Sequence, residues 1–226
     1  MAANDPASAA RLEEAARRMG LSLQAGQKEA LLGYIALLQR WNRTYNLTAV
    51  RDASQMLVQH IFDSLSVVGP LQSELHKRGS GDAARVADIG SGAGLPGMVL
   101  AALNPGWQVY CVDAVEKKMA FVRQAAGSLG LSNLHAMHAR VETLTPLDAD
   151  VVVSRAFASL ADFAILAGGH AAANGSLLAM KGREPLDEIQ ALEDTEWKVA
   201  RIEPVTVPEL NAQRCLVWMN RRQGNL

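Results

Sequence analysis

This sequence has few cysteines and no large excess of either positive or negative charge. Its 226 residues include two cysteines, Cys111 and Cys215, each within an apolar run, so we expect buried free thiols in a reducing compartment rather than a disulfide. Lysine and arginine number 22 against 23 aspartate and glutamate, for a formal net charge of −1. This balance excludes a uniformly basic nucleic-acid-binding chain, so any such surface must be a local patch.

Long apolar runs are missing as well. No stretch approaches the roughly 20 consecutive apolar residues of a membrane span, and the start, Met1-Ala-Ala-Asn-Asp-Pro6, has neither the basic nor the apolar region of a signal peptide. We therefore expect a cytoplasmic protein without membrane contact. Hydrophobic residues are abundant, at 49% of the chain. They suffice for one substantial core, or one core with a helical annex, which excludes a disordered chain.

The first third of the chain is predicted to be helical. Apolar residues recur at helical spacing across 8–19 and 24–41, and a third helix begins after Asp52 and ends at Gly69-Pro70. We therefore expect a small helical domain over 1–69, followed by a second domain over 70–226.

Three side chains of this helical region have two readings each. Trp41 and Tyr45 either stack on an unpaired RNA base or pack between the helices. His60 lies beside the apolar stripe of the third helix. We expect it to be a hydrogen-bonded structural histidine rather than a catalyst.

From residue 84, short β-rich runs alternate with helical segments, the pattern of βαβ units in a mostly parallel sheet. Two final runs have no helix between them and must pair antiparallel. The sequence therefore predicts a doubly wound α/β domain with a seven-stranded sheet that ends in a hairpin. The strands are expected at 84–89, 108–112, 134–137, 149–153, 176–180, 197–205 and 213–219, and the helices at 96–103, 115–129, 160–172 and 185–192.

A glycine loop joins the first of these strands to a helix that has Pro96 in its first turn. Gly90, Gly92 and Gly94 allow positive φ and carry no Cβ, so a ligand can lie against the backbone at the carboxyl end of the strand. The loop also matches the dinucleotide pattern G-x-G-x-x-G, which alone is weak evidence.

Two carboxylates discriminate between the ligands of such a loop. Asp88, at the strand end, repels a pyrophosphate and attracts a cation, which favours S-adenosylmethionine with its ammonium and sulfonium groups. Asp113 follows 25 residues later and is placed to accept both ribose hydroxyls. Alternatively, Asp88 caps the following turn and Asp113 is the N-cap of the helix from Val115. A nicotinamide-dependent oxidoreductase is the rival function that the same loop permits.

Candidate residues also follow the third and fourth strands. Val141 and Glu142 offer an apolar wall and a polar group for an adenine ring. Arg155, after the fourth strand, is expected between cofactor and substrate, opposite the transferred methyl group. The alternative is that Arg155 forms an ion pair with one of three carboxylates, namely Asp88, Asp150 or Asp162.

Five segments together resemble the bacterial 16S rRNA guanine-N7 methyltransferases, also called the glucose-inhibited division protein B family. They are Trp41-Asn-x-x-Tyr-Asn-Leu-Thr48, His60-Ile-Phe-Asp-Ser-Leu65, Asp88-Ile-Gly-Ser-Gly-Ala-Gly-Leu-Pro-Gly97, Ser154-Arg-Ala-Phe-Ala-Ser-Leu160 and Met180-Lys-Gly182. The resemblance runs from about residue 24 to the C terminus. It implies a class I methyltransferase fold and S-adenosylmethionine-dependent methylation of N7 of one guanine in small-subunit rRNA.

The resemblance also implies a set of cofactor-binding positions. It assigns Gly90, Leu95, Val141, Glu142 and Arg155 to the cofactor site and Asp113 to the ribose. Asp88 and Gly92 of the loop complete the predicted set.

The chemistry of guanine N7 limits what the enzyme must supply. N7 of neutral guanine has a lone pair that attacks the methyl carbon in line with the departing sulfur, so no general base is required. Positioning and electrostatics are then the main tasks. Arg155, the one candidate catalytic residue, is expected to contact a phosphate, O6 or the cofactor carboxylate rather than to act as an acid.

RNA contact requires a local excess of positive charge. Residues 1–60 carry seven Lys or Arg against five Asp or Glu, and the last sixteen residues carry three arginines and no acid. We expect Arg43, Lys181, Arg183 and Arg221 to line one rim of the cofactor mouth and bind phosphates, although solvated surface charges are the ordinary alternative. The predicted partner is 16S rRNA or the small ribosomal subunit, bound by a monomer without a metal. A non-catalytic RNA-binding module is the second rival.

Overall fold

The computed structural model describes residues 5–155 and 157–222 and contains one seven-stranded sheet. The strands are β1 Arg85–Ile89, β2 Gln108–Asp113, β3 Leu134–His138, β4 Ala149–Ser154, β5 Ala171–Lys181, β6 Trp197–Val205 and β7 Arg214–Arg221. Their order is β3-β2-β1-β4-β5-β7-β6, with the first five parallel and β7 antiparallel to both neighbours. This confirms the predicted α/β sheet and its terminal hairpin.

Helices cover both faces of the sheet unequally. They are α1 Pro6–Arg18, α2 Ala25–Tyr45, α3 Ala53–Met56, α4 Asp63–Leu65, α5 Val68–Lys77, α6 Gly97–Leu103, α7 Glu116–Ser128 and α8 Leu160–Ala167. A π-helical segment, Leu57–Phe62, joins α3 to α4. Helices α1 to α7 contribute to one hydrophobic cluster with one face of the sheet, and α8 packs on the other face.

Alternation along the strands determines which side chains enter which cluster. Val86 and Cys111 point to the face covered by helices α1 to α7, whereas Ala87 and Val112 point to the face covered by α8. The two-residue period of a strand requires this alternation. Cys111 and Cys215 are both buried and free, as predicted. The N-terminal helices share their core with the sheet. The expected domain division at 69/70 stays a prediction, and it falls within α5.

Two expected helix ends and one expected helix were wrong. Gly69-Pro70 does not end a helix, because Pro70 lies in the first turn of α5, where its missing N–H costs nothing. The helix expected to reach residue 172 ends at Ala167, followed by the 3₁₀ turn Gly168–His170 and then β5. The expected helix over 185–192 is mostly turns with the short 3₁₀ segment Gln190–Leu192. In that short segment Leu192 alone is buried, so no continuous apolar face stabilises a helix.

The sheet topology creates a crevice at one place. β1 pairs with β2 on one side and β4 on the other, and the helices that follow β1 and β4, α6 and α8, pack on opposite faces of the sheet. The carboxyl ends of β1 and β4 flank the resulting switch point, where α/β sheets bind their ligands.

No helix among residues 5–155 and 157–222 is both long and apolar enough to cross a membrane.

Candidate active site

The glycine loop lies at this switch point in the expected conformation. Gly90, Gly92 and Gly94 have φ values of 70°, 59° and 88°, confirming the predicted left-handed backbone. The amides of Gly90 and Ser91 both donate to the carbonyl of Val112, at 2.9 and 3.1 Å, which ties the loop to β2. A Cβ on Gly94 would lie 2.9 Å from a methyl group of Val122. The loop therefore has little freedom to change shape.

Asp88 lies beneath the loop rather than in the crevice. Its side chain is completely buried, and Oδ2 accepts a hydrogen bond of 2.7 Å from the amide of Gly97. Burial raises the pKa of Asp88 to about 7, against the opposing effects of the Gly97 amide and the charge of Arg155. The turn-capping alternative thus describes this contact. Strand alternation turns the side chain of Asp88 under α6 beside Cys111, and a direct contact of Asp88 with a ligand stays a prediction.

Asp113 connects the glycine loop to α7. Its Oδ2 accepts the amide of Gly92 at 2.9 Å, and its Oδ1 accepts the amide of Val115 at 2.8 Å. Asp113 is not the N-cap of α7, because that position is occupied by Val115 and has no side-chain cap, but its carboxylate positions both the loop and the residue before the helix. Because a carboxylate offers about four acceptor positions, these two bonds leave capacity for a ribose. That role stays a prediction.

The two residues expected to contact the adenine ring differ in burial. Val141–Thr143 form a 3₁₀ turn after β3, with Val141 buried and Glu142 exposed. The carbonyl of Val141 is hydrogen-bonded by Nε2 of His170 at 3.0 Å, which fixes the turn. Leu95 is buried at the other side of the crevice, in the glycine loop. The cofactor contacts of these residues stay predictions.

Arg155 has an ion-pair partner that sequence reasoning missed. Its Nη1 lies 3.2 Å from Oδ2 of Asp63, so the three partners considered for it were wrong. Asp150 instead accepts the hydroxyl of Ser80, and Asp162 that of Ser159.

Arg155 lines a cavity beside the switch point. The cavity has a volume of about 310 Å³ and is lined by Gln59, His60, Asp63, Arg155, Met180, Lys181, Gly182 and Arg214. The hydroxyl of Ser154 donates to the carbonyl of Ile89 at 2.7 Å and joins the end of β4 to that of β1. Three of the five family-like segments meet at this cavity. Asp63 lies in one of these segments, and this was the sequence signal that could have identified it as a site residue.

His60 and the two aromatic residues have structural contacts. Nε2 of His60 lies 3.0 Å from the hydroxyl of Thr48, which confirms the hydrogen-bonded reading. Burial, and secondarily the charge of Arg155, lowers the pKa of His60 to about 4. Trp41 packs edge-on against Phe121 of α7, as the packing alternative holds, while Tyr45 covers Trp41 and is 44% exposed.

The four expected RNA contacts do not share one rim. Arg43 is exposed on α2, and Arg183 has a side chain 79% exposed after β5. Lys181 lines the cavity, but its Nζ binds both oxygens of Glu188 at 3.0 and 2.9 Å.

Arg221 was placed at the wrong edge of the sheet. β7 runs antiparallel to β5, so Arg214 lies beside the carboxyl edge and Arg221 at the amino edge, roughly 23 Å away for seven strand steps. Arg221 donates to the carbonyls of Gly168 and Ala171 and covers the ring of Trp197. Arg214 takes the expected place at the cavity.

Comparisons with known proteins agree on one family. The family model described as "GidB: rRNA small subunit methyltransferase G" matches residues 27–217. The chain is 60% identical over 222 residues to the "Ribosomal RNA small subunit methyltransferase G" of Bordetella avium, covering 98% of this chain and 97% of that protein. It is 61% identical over 219 residues to the protein of the same name from Bordetella pertussis, covering 96% and 95%.

Solved structures show the same fold. A ribosomal protein L11 methylase from Lactobacillus delbrueckii subsp. bulgaricus superposes with a TM-score of 0.53 at 17% identity, covering 69% of this chain and 79% of that one. At this identity the likeness concerns the fold alone.

Proposed function

The chain belongs to the rRNA small subunit methyltransferase G family, and on this premise we propose that it methylates N7 of one guanine in 16S rRNA. The family is S-adenosylmethionine-dependent, so the methyl donor and the α/β fold follow from membership. Position N7 and a single target base are the finer part of the proposal. The arrangement that carries it is the glycine loop beside a cavity lined by arginines at the same sheet edge.

The residues of the crevice fit the methyl donor. A Cβ on Gly92 would meet no atom within 4 Å, so the space beside the loop is open to a ligand that approaches the backbone. Asp113 borders this space through its bond to the amide of Gly92. Asp88, buried beneath the loop, adds a carboxylate whose Oδ1 has no hydrogen-bond partner among the described residues. S-adenosylmethionine, when bound, supplies an electrophilic methyl group on a sulfonium.

The remaining groups are suited to positioning rather than to proton transfer. N7 needs no deprotonation, and His60, with its pKa lowered to about 4, is neutral at pH 7 and bound to Thr48. Arg155 is held at the end of β4, beside the switch point, with about a quarter of its side chain exposed. It is the residue that orients the acceptor nucleotide at the crevice.

The proposed RNA-binding surface combines cations of α2 with cations at and beside the cavity. We assign phosphate contacts to Arg43, Lys181 and Arg183, with Arg214 in the place expected for Arg221. Residues 1–69 act as the helical domain and 70–226 as the methyltransferase domain. The protein works in the cytoplasm as a monomer without a metal.

Transfer of labelled methyl groups tests this function. Small ribosomal subunits and free 16S rRNA from cells that lack the enzyme are incubated with the protein and labelled S-adenosylmethionine, and the modified base is mapped. We expect one guanine labelled at N7. Label on protein, on a small molecule or on another atom of guanine would overturn the assignment, as would binding of a nicotinamide dinucleotide without binding of S-adenosylmethionine.

A further inference from the structure

One buried carboxylate connects two arginines from distant parts of the chain. Asp63 is the first residue of α4 and is 3% exposed. Its Oδ2 lies 3.2 Å from Nη1 of Arg155, after β4, and its Oδ1 lies 2.7 Å from Nε of Arg214, at the start of β7. We call these three residues the Asp63 cluster. Asp63 follows a π-helical segment, a feature that often marks functional sites.

The Asp63 cluster leaves hydrogen-bond donors free at the cavity. All three members line it, and the side chains of Arg155 and Arg214 are 27% and 26% exposed. Nη1 of Arg155 donates to Asp63 and to the carbonyl of Gln59. In Arg214, Nε donates to Asp63 and Nη1 donates to the carbonyl of Gln213. Within residues 5–155 and 157–222, Nε and Nη2 of Arg155 and Nη2 of Arg214 have no partner.

The charge of the Asp63 cluster matches one anionic group. Two guanidinium groups and one carboxylate sum to +1, and the pair of Lys181 with Glu188 beside them adds no net charge. Two guanidinium groups with free N–H donors suit the oxygens of a phosphodiester, which carries one negative charge. Without Asp63 the like charges of Arg155 and Arg214 would repel each other, and the donors would separate.

We propose that Asp63 is a positioning residue, which holds Arg155 and Arg214 together as a paired binding site for a backbone phosphate of the RNA beside the acceptor base. The proposal rests on the proposed function, because it assumes an RNA acceptor. It adds an assignment for Asp63, it makes Arg214 act together with Arg155, and it selects phosphate among the ligands considered for Arg155. Asp63 itself touches neither the RNA nor the methyl donor.

The fold supplies a matched control. Glu74 of α5 also binds two arginines, Arg78 at 2.6 Å and Arg201 at 2.9 Å, and its side chain is 12% exposed. We call these residues the Glu74 cluster. Arg78 contacts the carbonyl of Asn174 and the hydroxyl of Ser176 near the start of β5, towards the edge opposite the crevice. A Glu74→Gln variant therefore removes the same type of interaction away from the cavity.

The experiment compares kinetic constants of wild type, Asp63→Asn, Asp63→Glu and Glu74→Gln under conditions where each is folded. With small subunits as acceptor, we expect kcat/KM to fall about 100-fold in Asp63→Asn, as for a misplaced binding group. KM for S-adenosylmethionine should change less than about twofold. Asp63→Glu should recover part of the loss, and Glu74→Gln should keep kcat/KM within about twofold of wild type.

Arg214 provides a second measurement that is valid even if Asp63→Asn does not fold. Arg214→Gln should reduce the slope of log binding constant for RNA against log salt by about one, whereas Arg214→Lys should keep the slope and lose kcat/KM. An unchanged slope in Arg214→Gln would overturn the phosphate assignment.

Other outcomes are equally decisive. If Asp63→Asn and Glu74→Gln retain the same kcat/KM, Asp63 has a merely structural role. If the loss in Asp63→Asn lies in KM for S-adenosylmethionine, the arginines bind the donor instead of RNA. Failure of the wild-type protein to methylate rRNA would refute the proposed function itself, and the wild-type control separates that result from failure of this inference alone.

Discussion

The Asp63 cluster and the Glu74 cluster each consist of one carboxylate and two arginines, but their surroundings differ. In the Glu74 cluster, Arg78 uses its further donors on Asn174 and Ser176, and Arg201 lies over the ring of Trp218 at 4.3 Å. In the Asp63 cluster, both arginines line a cavity at the carboxyl edge of the sheet and keep N–H groups without a partner among the described residues. A carboxylate with two arginines is therefore not a functional signature by itself. Such a cluster stabilises the fold when its remaining N–H groups bond to other parts of the protein. It is available to a ligand when those N–H groups have no protein partner.

The largest expected effect separates one arginine from each cluster. Arg155→Ala should lower methyl transfer to small subunits by about 1,000-fold, the range found when a positioned donor at a reacting centre is removed. Arg78→Ala, in the Glu74 cluster, should leave transfer per folded molecule within about twofold. Labelled-methyl assays on both variants measure the difference. Equal activity in Arg155→Ala and wild type would refute the site at the end of β4.

Asp88 extends the comparison to a carboxylate without an arginine bound to it. Its pKa is raised to about 7 in the folded protein from its ordinary value of 3.8, mainly by burial. The folded state therefore holds the proton more tightly, so the contribution of Asp88 to stability is fully present below pH 3.8 and is lost as the pH rises through about 7. We expect the free energy of unfolding of wild type, relative to Asp88→Asn, to fall by about 4 kcal/mol from pH 4 to pH 8.

Urea denaturation of wild type and Asp88→Asn at several pH values measures this difference. A difference between the two proteins that does not change with pH would show that Asp88 is already ionised in the folded state at pH 4.

The glycine loop tests whether the carboxyl edge is as rigid as its contacts indicate. Gly94→Ala places a methyl group 2.9 Å from Val122 at a φ of 88°, so the loop must shift. We expect the dissociation constant for S-adenosylmethionine to rise about 30-fold, or about 2 kcal/mol. Gly20→Ala is the control, because Gly20 has a φ of 73° with open space around it and lies outside the loop. It should bind the donor normally, as calorimetric titration would show.

The smallest expected effect concerns the Glu74 cluster. Burial raises the pKa of Glu74, but the hydrogen bond and charge of Arg78, together with Arg201, outweigh this effect and lower the pKa below its ordinary value of 4.5. This lowered pKa contributes stability above pH 4.5 that is lost as the pH falls through the folded pKa. Glu74→Gln should therefore cost about 1 kcal/mol at pH 7 and less at pH 3. Chemical denaturation at both pH values checks the trend.

Sequence patterns predicted the strands well because burial on two faces imposes a regular alternation. All seven strands lie where expected within a few residues, apart from the early start of β5 at Ala171. Helix ends were predicted less well. Gly69-Pro70 looks like a stop signal, yet in the structure Pro70 lies in the first turn of α5, a position that tolerates proline.

The site was predicted in part. Glycine spacing was sufficient for the positive φ values of the loop, because local sterics alone impose them. The direction of Asp88 was not predicted, since its position at a strand end does not show which face its side chain enters. The ion pair of Arg155 was also missed, because Asp63 is 92 residues away in the chain.

The amino-acid sequence alone determined the α/β class, the place of the ligand-binding loop and the family, because these depend on short-range periodicity, glycine sterics and motif identity. Only the tertiary structure decided that Asp63 joins Arg155 to Arg214 and that Arg221 lies at the far edge of the sheet. Both outcomes depend on strand direction and on contacts between distant segments. Those are established by packing of the whole chain, and no local pattern encodes them.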